Sequence, residues 1–416
     1  MSSKHSYLYA LFAIAVSAHG ATLCVNPGGT SGCFAHIGDA VTAASVSSTI
    51  KIAPGTYKEA VTITKSLSLV GESGAIIDAT GLSVGIFVDG LNNAGLSDVV
   101  ITGLTVENAN FEGILLANAS AVTVSSNQVF NNNKALISGT CPGLPSFETN
   151  EQMDCGEGIH LLGADHSIVS NNIVEGNSGG ILLADDTGAT HDNLISGNTV
   201  RDNPYACGIT LASHPPAALT GSPVALGVYH NTIYGNRSAR NGLATGGGAG
   251  VGMFASVPGA KTYGNVVANN LVNENGLPGI AMHAHVPGQD LSDNVIVGNT
   301  IVNNGPDSAD AATPGPTGIN VYGAGAVTGT IISGNSIQSE SVGIAIKTSA
   351  RVQAHLNSLL GLDTGLVNLG SGTVGATANW WGCDGGPGAQ GCSKVQGTGV
   401  DFAPWLVTPI PAQISY

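Results

Sequence analysis

Imidazole, phenol and amide side chains recur at matching positions in two segments of this sequence and could together perform acid–base chemistry. His283 and His285 stand two residues apart, so a β-strand would place both imidazoles on one face. Asn320 and Tyr322 repeat that spacing in a later segment. Abstraction of a proton next to a carboxylate needs a group that neutralises the carboxylate, a base and an acid. We assign neutralisation to Asn320 with His283. His285 is then the base and Tyr322 the acid.

A second set of candidates consists of two aspartates and a further histidine. Asp185 and Asp186 are adjacent, and hydrolysis of a glycosidic bond needs two carboxylates at a suitable separation. Alternation along a strand would send these two side chains to opposite faces, although a turn after the strand could bring them together. Asp186 and His214 are added to the catalytic candidates, and Asp185 is assigned to substrate binding.

Metal binding is a third chemistry that the sequence leaves open. A His-x-His pair on a strand presents two imidazoles on one face, but two ligands alone do not define a metal site, so no metal ligand is assigned. Loop aspartates could hold Ca²⁺, although their spacing is not that of an EF-hand. These loop aspartates are Asp290, Asp293, Asp307 and Asp310. No cofactor is therefore assigned, and Ca²⁺ remains the one candidate.

The candidates belong to a repeated strand motif in which glycine precedes a hydrophobic, a variable and a second hydrophobic residue. Nine copies begin at Gly85, Gly113, Gly158, Gly180, Gly208, Gly250, Gly279, Gly318 and Gly343. Counted from each glycine, the first and third residues should point inward, and the second, fourth and sixth outward. If the copies stack in register, one outer strip contains Asp186, His214, Ser256, Phe254, His283, His285, Asn320 and Tyr322. His160 also lies at an outward position, and we assign His160, Asn320 and Phe254 to substrate binding.

Asparagines form a second repeated signal, five residues apart. One predicted column contains Asn127, Asn172, Asn198, Asn231, Asn270, Asn299, Asn335 and Asn357. The other contains Asn132, Asn177, Asn203, Asn236, Asn275 and Asn304. Asparagine tolerates left-handed turns, and stacked amides can bond from one coil to the next. We therefore interpret both columns as structural.

Repeats of 22 to 45 residues, each able to hold about three short strands and their turns, predict one all-β solenoid. The expected fold is a single-stranded right-handed parallel β-helix of about nine to eleven coils. Residues 36–46 have helical spacing and could cap the first coil, and the tryptophans near 380 and 405 could close the last. Loops at 133–157, 215–227, 237–249 and 303–317 could form the walls of a groove beside the outer strip.

The first 20 residues have a positive start, an apolar run and small residues at their end, which predicts a secretory signal peptide. The mature protein should then contain an N-terminal cap and first coils at 21–80, repeats at 81–370 and a C-terminal cap and tail at 371–416. Three close cysteine pairs indicate disulfides, as expected after export to an extracellular or periplasmic compartment. These pairs are Cys24 with Cys33, Cys141 with Cys155, and Cys383 with Cys392.

The charge balance limits the possible partners. The formal net charge is −15, with only 12 lysines and arginines, which excludes a nucleic-acid partner because phosphate binding needs a dense basic surface. It also works against a polyanionic sugar substrate unless bound Ca²⁺ reverses the local charge. No segment after the signal has the roughly 20 apolar residues of a membrane helix.

The segment IKIAPGTYKEAVTITKSLSLVGE, the glycine-led repeats and the closing NWWG…GP…PWL resemble the pectin-lyase-like superfamily of parallel β-helix proteins. The resemblance covers most of residues 21–408 and implies the fold. It does not imply one activity, because that superfamily includes lyases, hydrolases, esterases, epimerases and proteins without catalysis. Apart from Asp185-Asp186, which echoes one polygalacturonase motif at a different position, no catalytic signature of its members is present.

These observations lead us to expect a secreted protein that binds an extended polysaccharide along the outer strip. A polysaccharide lyase or epimerase is favoured, because imidazoles, a phenol and an amide outnumber well-placed carboxylates. A glycoside hydrolase that uses Asp185 and Asp186 is the alternative within enzymes. The alternative from another class is a cell-envelope or adhesion solenoid without catalysis.

Overall fold

A computed structural model describes residues 20–137, 139–148, 156–213, 226–244, 247–308 and 311–410. Over these residues the chain winds repeatedly in one direction, and most coils add one parallel strand to each of three long sheets. In chain order a coil visits sheet A, then sheet B, then sheet C, and sheet D is a short addition between sheets C and A. The predicted solenoid is confirmed.

The strands have the following bounds within the described residues. Sheet A contains Thr22–Val25, Ser48–Ile52, Leu67–Gly71, Val100–Thr102, Thr123–Ser125, Ile168–Ser170, Leu194–Ser196, Thr232–Tyr234, Val266–Ala268, Val295–Val297, Ile331–Ser333, Val352–His355, Val374–Gly375 and Val400–Asp401. Sheet B contains Gly55–Tyr57, Ala75–Asp78, Thr105–Glu107, Gln128–Phe130, Ile173–Glu175, Thr199–Arg201, Arg237–Ala239, Leu271–Asn273, Thr300–Val302, Ser336–Gln338 and Ser358–Leu360. Sheet C contains Val61–Ile63, Ile86–Asp89, Ile114–Ala117, Glu157–Leu162, Gly179–Ala184, Ile209–Ser213, Val251–Ala255, Ile280–Ala284, Thr317–Gly323, Val342–Thr348, Thr364–Asn368 and Lys394–Gly397. Sheet D contains Thr190–His191, Val228–Tyr229 and Thr262–Tyr263.

Sheet C contains all nine glycine-led segments, and their predicted register is confirmed. The first hydrophobic residue of each copy pairs with that of the next, for example Ile209 with Val251 and Val251 with Ile280. Their side chains are fully buried in one continuous aliphatic core. Glycine is required at the start of the motif for a steric reason: a Cβ at Gly113 would overlap the side chains of Val129 and Asn132. Equal offsets are therefore spatial neighbours, as the outer strip requires.

The asparagines form buried ladders along the turns, which confirms their structural role. In each step the side-chain oxygen of one asparagine accepts from the backbone N–H of the asparagine one coil earlier, as in Asn198 to Asn236 and Asn236 to Asn270. The predicted columns were wrong in one coil: Asn236 belongs to the first column and Asn241 to the second. Asn231 belongs to a third ladder, between Asn193 and Asn265.

That error has a simple cause. Asparagines repeat every five residues along these coils, so a slip of five residues still places asparagine against asparagine. Its consequence is visible at 237–249, which was predicted to be an insertion but begins with the sheet B strand Arg237–Ala239. The spacing of the asparagines alone does not reveal which turn each one occupies, because each of the three turns of a coil can hold asparagine.

Both ends of the solenoid are capped. The helix Ile37–Ala43 buries Ile37, Ala40 and Val41 against the first coils, within the predicted 36–46. At the other end Trp380 and Trp381 are buried. Cys24–Cys33 and Cys383–Cys392 form two predicted disulfides. Cys155 lies outside the described residues, as does the predicted signal up to residue 19.

Candidate functional site

Four neighbouring strands of sheet C bring aromatic and basic side chains together on the outer face. Phe254, His283, Tyr322 and Lys347 occupy the same position on successive strands. The stretch spans three strand spacings, or roughly 14 Å. The rings of His283 and Tyr322 have centroids 5.6 Å apart. The predicted strip is therefore real over these coils.

His285 lies just beyond the end of the strand Ile280–Ala284 and packs among the same rings. Its ring centroid is 5.3 Å from that of His283, 5.6 Å from that of Tyr322 and 5.4 Å from that of Phe254. The Nε2 of His285 is 3.3 Å from the Nδ1 of His283, within hydrogen-bond distance. The two imidazoles therefore form one connected pair, with the Tyr322 phenol beside both.

The insertion that follows Val302 brings a carboxylate to this pair. Asp307 is buried, and its Oδ2 is 3.2 Å from the Nε2 of His283. The backbone N–H of Asp307 donates to the Thr313 hydroxyl at 2.8 Å. Asn320 is fully buried beneath, with its side-chain amide 2.8 Å from the same Nε2. We call Phe254, His283, His285, Asp307, Asn320 and Tyr322 the His283 cluster.

These contacts define the hydrogen-bonding state of the imidazole pair. A carboxylate only accepts hydrogen bonds, so the Nε2 of His283 donates its hydrogen to Asp307. Rotation of the Asn320 amide by 180° presents its oxygen to the same N–H. The Nδ1 of His283 then accepts from the Nε2–H of His285, which places the basic lone pair of His285 on its Nδ1. Asp307, His283 and His285 thus form one continuous chain of polar contacts.

One cation stands at the end of the cluster. The Nζ of Lys347 is 5.2 Å from the centroid of the Tyr322 ring and donates to the carbonyl of Ala311 at 3.2 Å. The ammonium group thus joins the strip to the insertion that carries Asp307. It is a positive charge beside the phenol in a chain whose net charge is −15.

A buried carboxyl anchors the beginning of this insertion. The two oxygens of Glu340 accept from the backbone N–H of Asn304 at 2.9 and 3.0 Å, and Oε1 also accepts from its side-chain amide at 3.0 Å. Burial raises the pKa of Glu340 to about 7, although these hydrogen bonds act in the opposite direction. Glu340 occupies the ladder position that asparagine holds in the coils before it.

The structure places the other candidates elsewhere. Asp185 is fully buried and accepts from the Ser213 hydroxyl at 2.9 Å and the Gly227 backbone N–H at 2.6 Å, so it braces a turn. Asp186 is also buried, three strands from His283 and roughly 14 Å away along the axis. His214 lies outside the described residues. Asp185 and Asp186 do not meet the His283 cluster.

His160 is buried rather than exposed. Only 4% of the residue is accessible, between Leu115 and Leu182 on the neighbouring strands. The predicted outward direction is observed, but the insertion at 133–157 contributes Phe147, which stacks on Phe87 and covers this part of the sheet. His160 is therefore closed off from a polysaccharide on the strip. Asn320 is likewise fully buried, so it positions His283 instead of contacting substrate.

Residues 84–251 match a family model described as right handed beta helix region. The fold of the chain is a right-handed parallel β-helix. A mannuronic acid specific polysaccharide family 6 lyase from the human gut microbiota shares this fold, at 14% identity and a TM-score of 0.50. The alignment covers 81% of this chain and 75% of that one. No curated protein matches the sequence.

Two further solved structures are similar to this chain. A protein of Geobacillus virus E2 aligns at 13% identity, with a TM-score of 0.50, over 80% of this chain. The Dettilon tailspike protein aligns at 14% identity, with a TM-score of 0.49, over 84% of this chain. The chain spans 57% and 62% of the length of these two proteins. At such identities the similarity shows the fold alone. Among the described residues, no helix is long and apolar enough to cross a membrane.

Sequence reasoning did not assign Asp307 or Lys347 to the cluster. Lys347 stood in the same column as His283 and Tyr322, so its position was visible. Asp307 gave only the signal of an acidic residue in a long loop. Its contact with His283 depends on how that loop folds back over the sheet.

Proposed function

We propose that this β-helix protein binds an extended uronate-containing polysaccharide along the outer strip and cleaves it by β-elimination. The observation that carries the proposal is the chain of contacts from Asp307 through His283 to His285, with Tyr322 beside both imidazoles. It provides a supported base next to a phenol that can donate a proton. Export by the N-terminal signal forms part of the proposal.

In the proposed step His285 removes the proton from C5 of the uronate. The electron pair forms the double bond between C4 and C5, the bond from C4 to the glycosidic oxygen breaks, and Tyr322 protonates that oxygen. The protons then return through solvent, so both groups regain their starting states. No redox change occurs.

The arrangement favours elimination over epimerisation. His285 and Tyr322 lie on one side of the strip, so base and acid approach the sugar from the same face. Epimerisation needs a proton returned to the opposite face of C5, and the cluster offers no group there among the described residues. Removal of the proton and the leaving group from one face suits a uronate whose 4-oxygen is equatorial, as in mannuronate and glucuronate.

Charge at the strip supports an acidic substrate despite the overall charge. Lys347 provides a cation beside Tyr322. It can neutralise the uronate carboxylate and so favour loss of the C5 proton. The fold neighbour from the gut microbiota is a lyase specific for mannuronic acid, which agrees with this substrate class.

The alternatives receive less support. Hydrolysis by Asp185 and Asp186 would need Asp185 to leave its hydrogen bonds to Ser213 and Gly227. A binding solenoid without catalysis would not need a carboxylate behind His283. Trp380 and Trp381 are buried in the cap and form no sugar-stacking surface.

The test is incubation of the protein with mannuronate, guluronate, galacturonate and glucuronate polymers and with neutral glycans. We expect ultraviolet absorbance from unsaturated ends, lowered at least about 100-fold in His285→Ala and Tyr322→Phe. His36→Ala, at an exposed histidine in the N-terminal cap, is the matched control. Reducing ends without unsaturation would indicate a hydrolase, and glycan retention without products a binding protein; either result contradicts the proposal.

A further inference from the structure

Three carboxylates and one imidazole meet in a buried position away from the His283 cluster. They come from Glu112, Glu148, Glu157 and His160, which we call the His160 cluster. Between 1% and 5% of each residue is accessible. Glu112, Glu148 and His160 each direct one potential ligand atom to a common point, and these three atoms all lie within 4.8 Å of one another. His160 belongs to sheet C, Glu112 to the preceding coil and Glu148 to the insertion.

The distances from the His160 ring to two of these carboxylates are too long for ordinary hydrogen bonds. The Nδ1 of His160 is 3.8 Å from the Oε1 of Glu112 and 4.0 Å from the Oε2 of Glu157. Both ring nitrogens of His160 and the Oε2 of Glu112 are buried without a hydrogen-bond partner. A buried polar atom in that state costs about 1–3 kcal/mol, and more when it is charged.

The surroundings make this cost larger. Leu115 and Leu182 flank His160, and Phe87 and Phe147 cover the same apolar region. Carboxylates in such a medium are stable only when they are paired, protonated or bound to a metal. A divalent ion bound to neutral imidazole brings two positive charges to these carboxylates.

We propose that the His160 cluster binds a divalent transition-metal ion of the Zn²⁺ or Mn²⁺ type. Glu112, Glu148 and His160 are the ligands, and Glu157 lies close enough to join them. Bonds of about 2.1 Å bring ligand atoms to within about 3.4–4.2 Å of one another, so a small contraction of the cluster suffices. An imidazole ligand distinguishes such ions from Ca²⁺ and Mg²⁺, which take oxygen ligands.

The role that follows is structural. The ion would join Glu148 of the insertion to His160 of sheet C and Glu112 of the preceding coil. Binding to the folded state alone raises stability by mass action. This proposal is independent of the polysaccharide chemistry, because its residues lie outside the His283 cluster.

The test is metal content and binding on the whole mature protein. We expect about one Zn²⁺ or Mn²⁺ per chain by mass spectrometry after purification without chelator, and a lower melting temperature after chelation. Added Zn²⁺ or Mn²⁺ should restore that temperature, whereas Ca²⁺ and Mg²⁺ should not. Calorimetry should show at least about 100-fold weaker Zn²⁺ binding for Glu148→Gln and His160→Gln.

Two controls keep the result interpretable. His283→Gln removes the imidazole–carboxylate contact with Asp307 and should leave Zn²⁺ affinity unchanged. Glu148→Gln alters an insertion residue outside the sheets, and Co²⁺ titration should give visible absorption bands in the parent but not in this variant. The proposal is overturned if the chelator-free protein holds no ion and none shifts its melting temperature. It is also overturned if affinity depends on His283 instead of His160.

Discussion

Two histidines at outward positions of sheet C differ in what covers them. His160 and His283 both lie beside a long insertion that supplies a carboxylate, Glu148 in one case and Asp307 in the other. At His160 the cover is apolar and the ring nitrogens have no hydrogen-bond partner. At His283 both ring nitrogens have partners and the ring lies between half-buried aromatic groups.

The difference teaches that a repeated strand position does not determine a chemical role. The strand fixes where the imidazole points, and the insertion decides whether water and a substrate can reach it. A sealed imidazole among carboxylates suits an ion. A partly accessible imidazole with one carboxylate behind it suits proton transfer. The following predictions test this contrast, beginning with the largest effect.

Asp307→Asn should lower turnover on the cleaved glycan by about 1,000-fold while KM changes little. The amide keeps the shape of the side chain but removes the charge that stabilises a proton on the imidazole pair. Steady-state kinetics give the result, and Asp363→Asn at an exposed position is the control. A tenfold or smaller loss would show that the carboxylate does not support the base.

Glu340 lies at the start of the Asp307 insertion, and Glu340→Gln should abolish the part of the pH dependence of the free energy of unfolding that this carboxyl causes. Because burial raises the folded pKa of Glu340 from 4.5 to about 7, the unfolded chain ionises first as pH rises. The stability present below pH 4.5 is therefore lost between pH 4.5 and 7, by at most about 3 kcal/mol. Chemical unfolding at pH 4, 6 and 8 should show the parent losing stability relative to the variant. Parallel curves for the two proteins would contradict the raised pKa.

Phe147→Ala should open the cover of the His160 cluster. Loss of the packing on Phe87 should lower the free energy of unfolding by about 2 kcal/mol, less than for a fully buried phenylalanine. Amide hydrogen exchange should increase near Glu148, while turnover at the His283 cluster stays unchanged. Leu243→Ala, at a side chain that is 61% exposed, is the control. An equal fall in turnover would show that the two clusters are coupled.

Lys347→Met should raise KM for a uronate polymer about tenfold and leave binding of neutral glycans unchanged. The methionine keeps the length of the side chain but removes the cation beside Tyr322. Kinetics at low and high salt should show a weaker salt dependence in the variant. Lys51→Met, far from the strip on sheet A, is the matched control. A change of the same size for both glycan classes would contradict a charge-specific role.

Much of the fold could be predicted because the repeats are local patterns. Alternation along the glycine-led segments determined which residues enter the core, and the pairing of Ile209, Val251 and Ile280 follows from it. The asparagine ladders were less certain. A five-residue spacing is compatible with two registers, and Asn231 was placed in the wrong ladder for that reason.

Part of the candidate site could be predicted too. His283, His285 and Tyr322 meet as expected, since strand register alone brings them together. Asp307 and Glu148 could not be placed, because each lies in a long insertion without repeat character. The burial of Asp185 and His160 was missed for a related reason: strand alternation gives the direction of a side chain but not what packs over it.

The sequence by itself determined the solenoid, its strand register and the order of side chains along the outer strip, because these depend on neighbouring residues and a regular repeat. The tertiary structure alone decided which outward side chains are accessible and which carboxylates join them. Those contacts connect residues far apart in the chain, such as His283 with Asp307 and His160 with Glu112. They follow from the path of the insertions over the sheet, which no local pattern encodes.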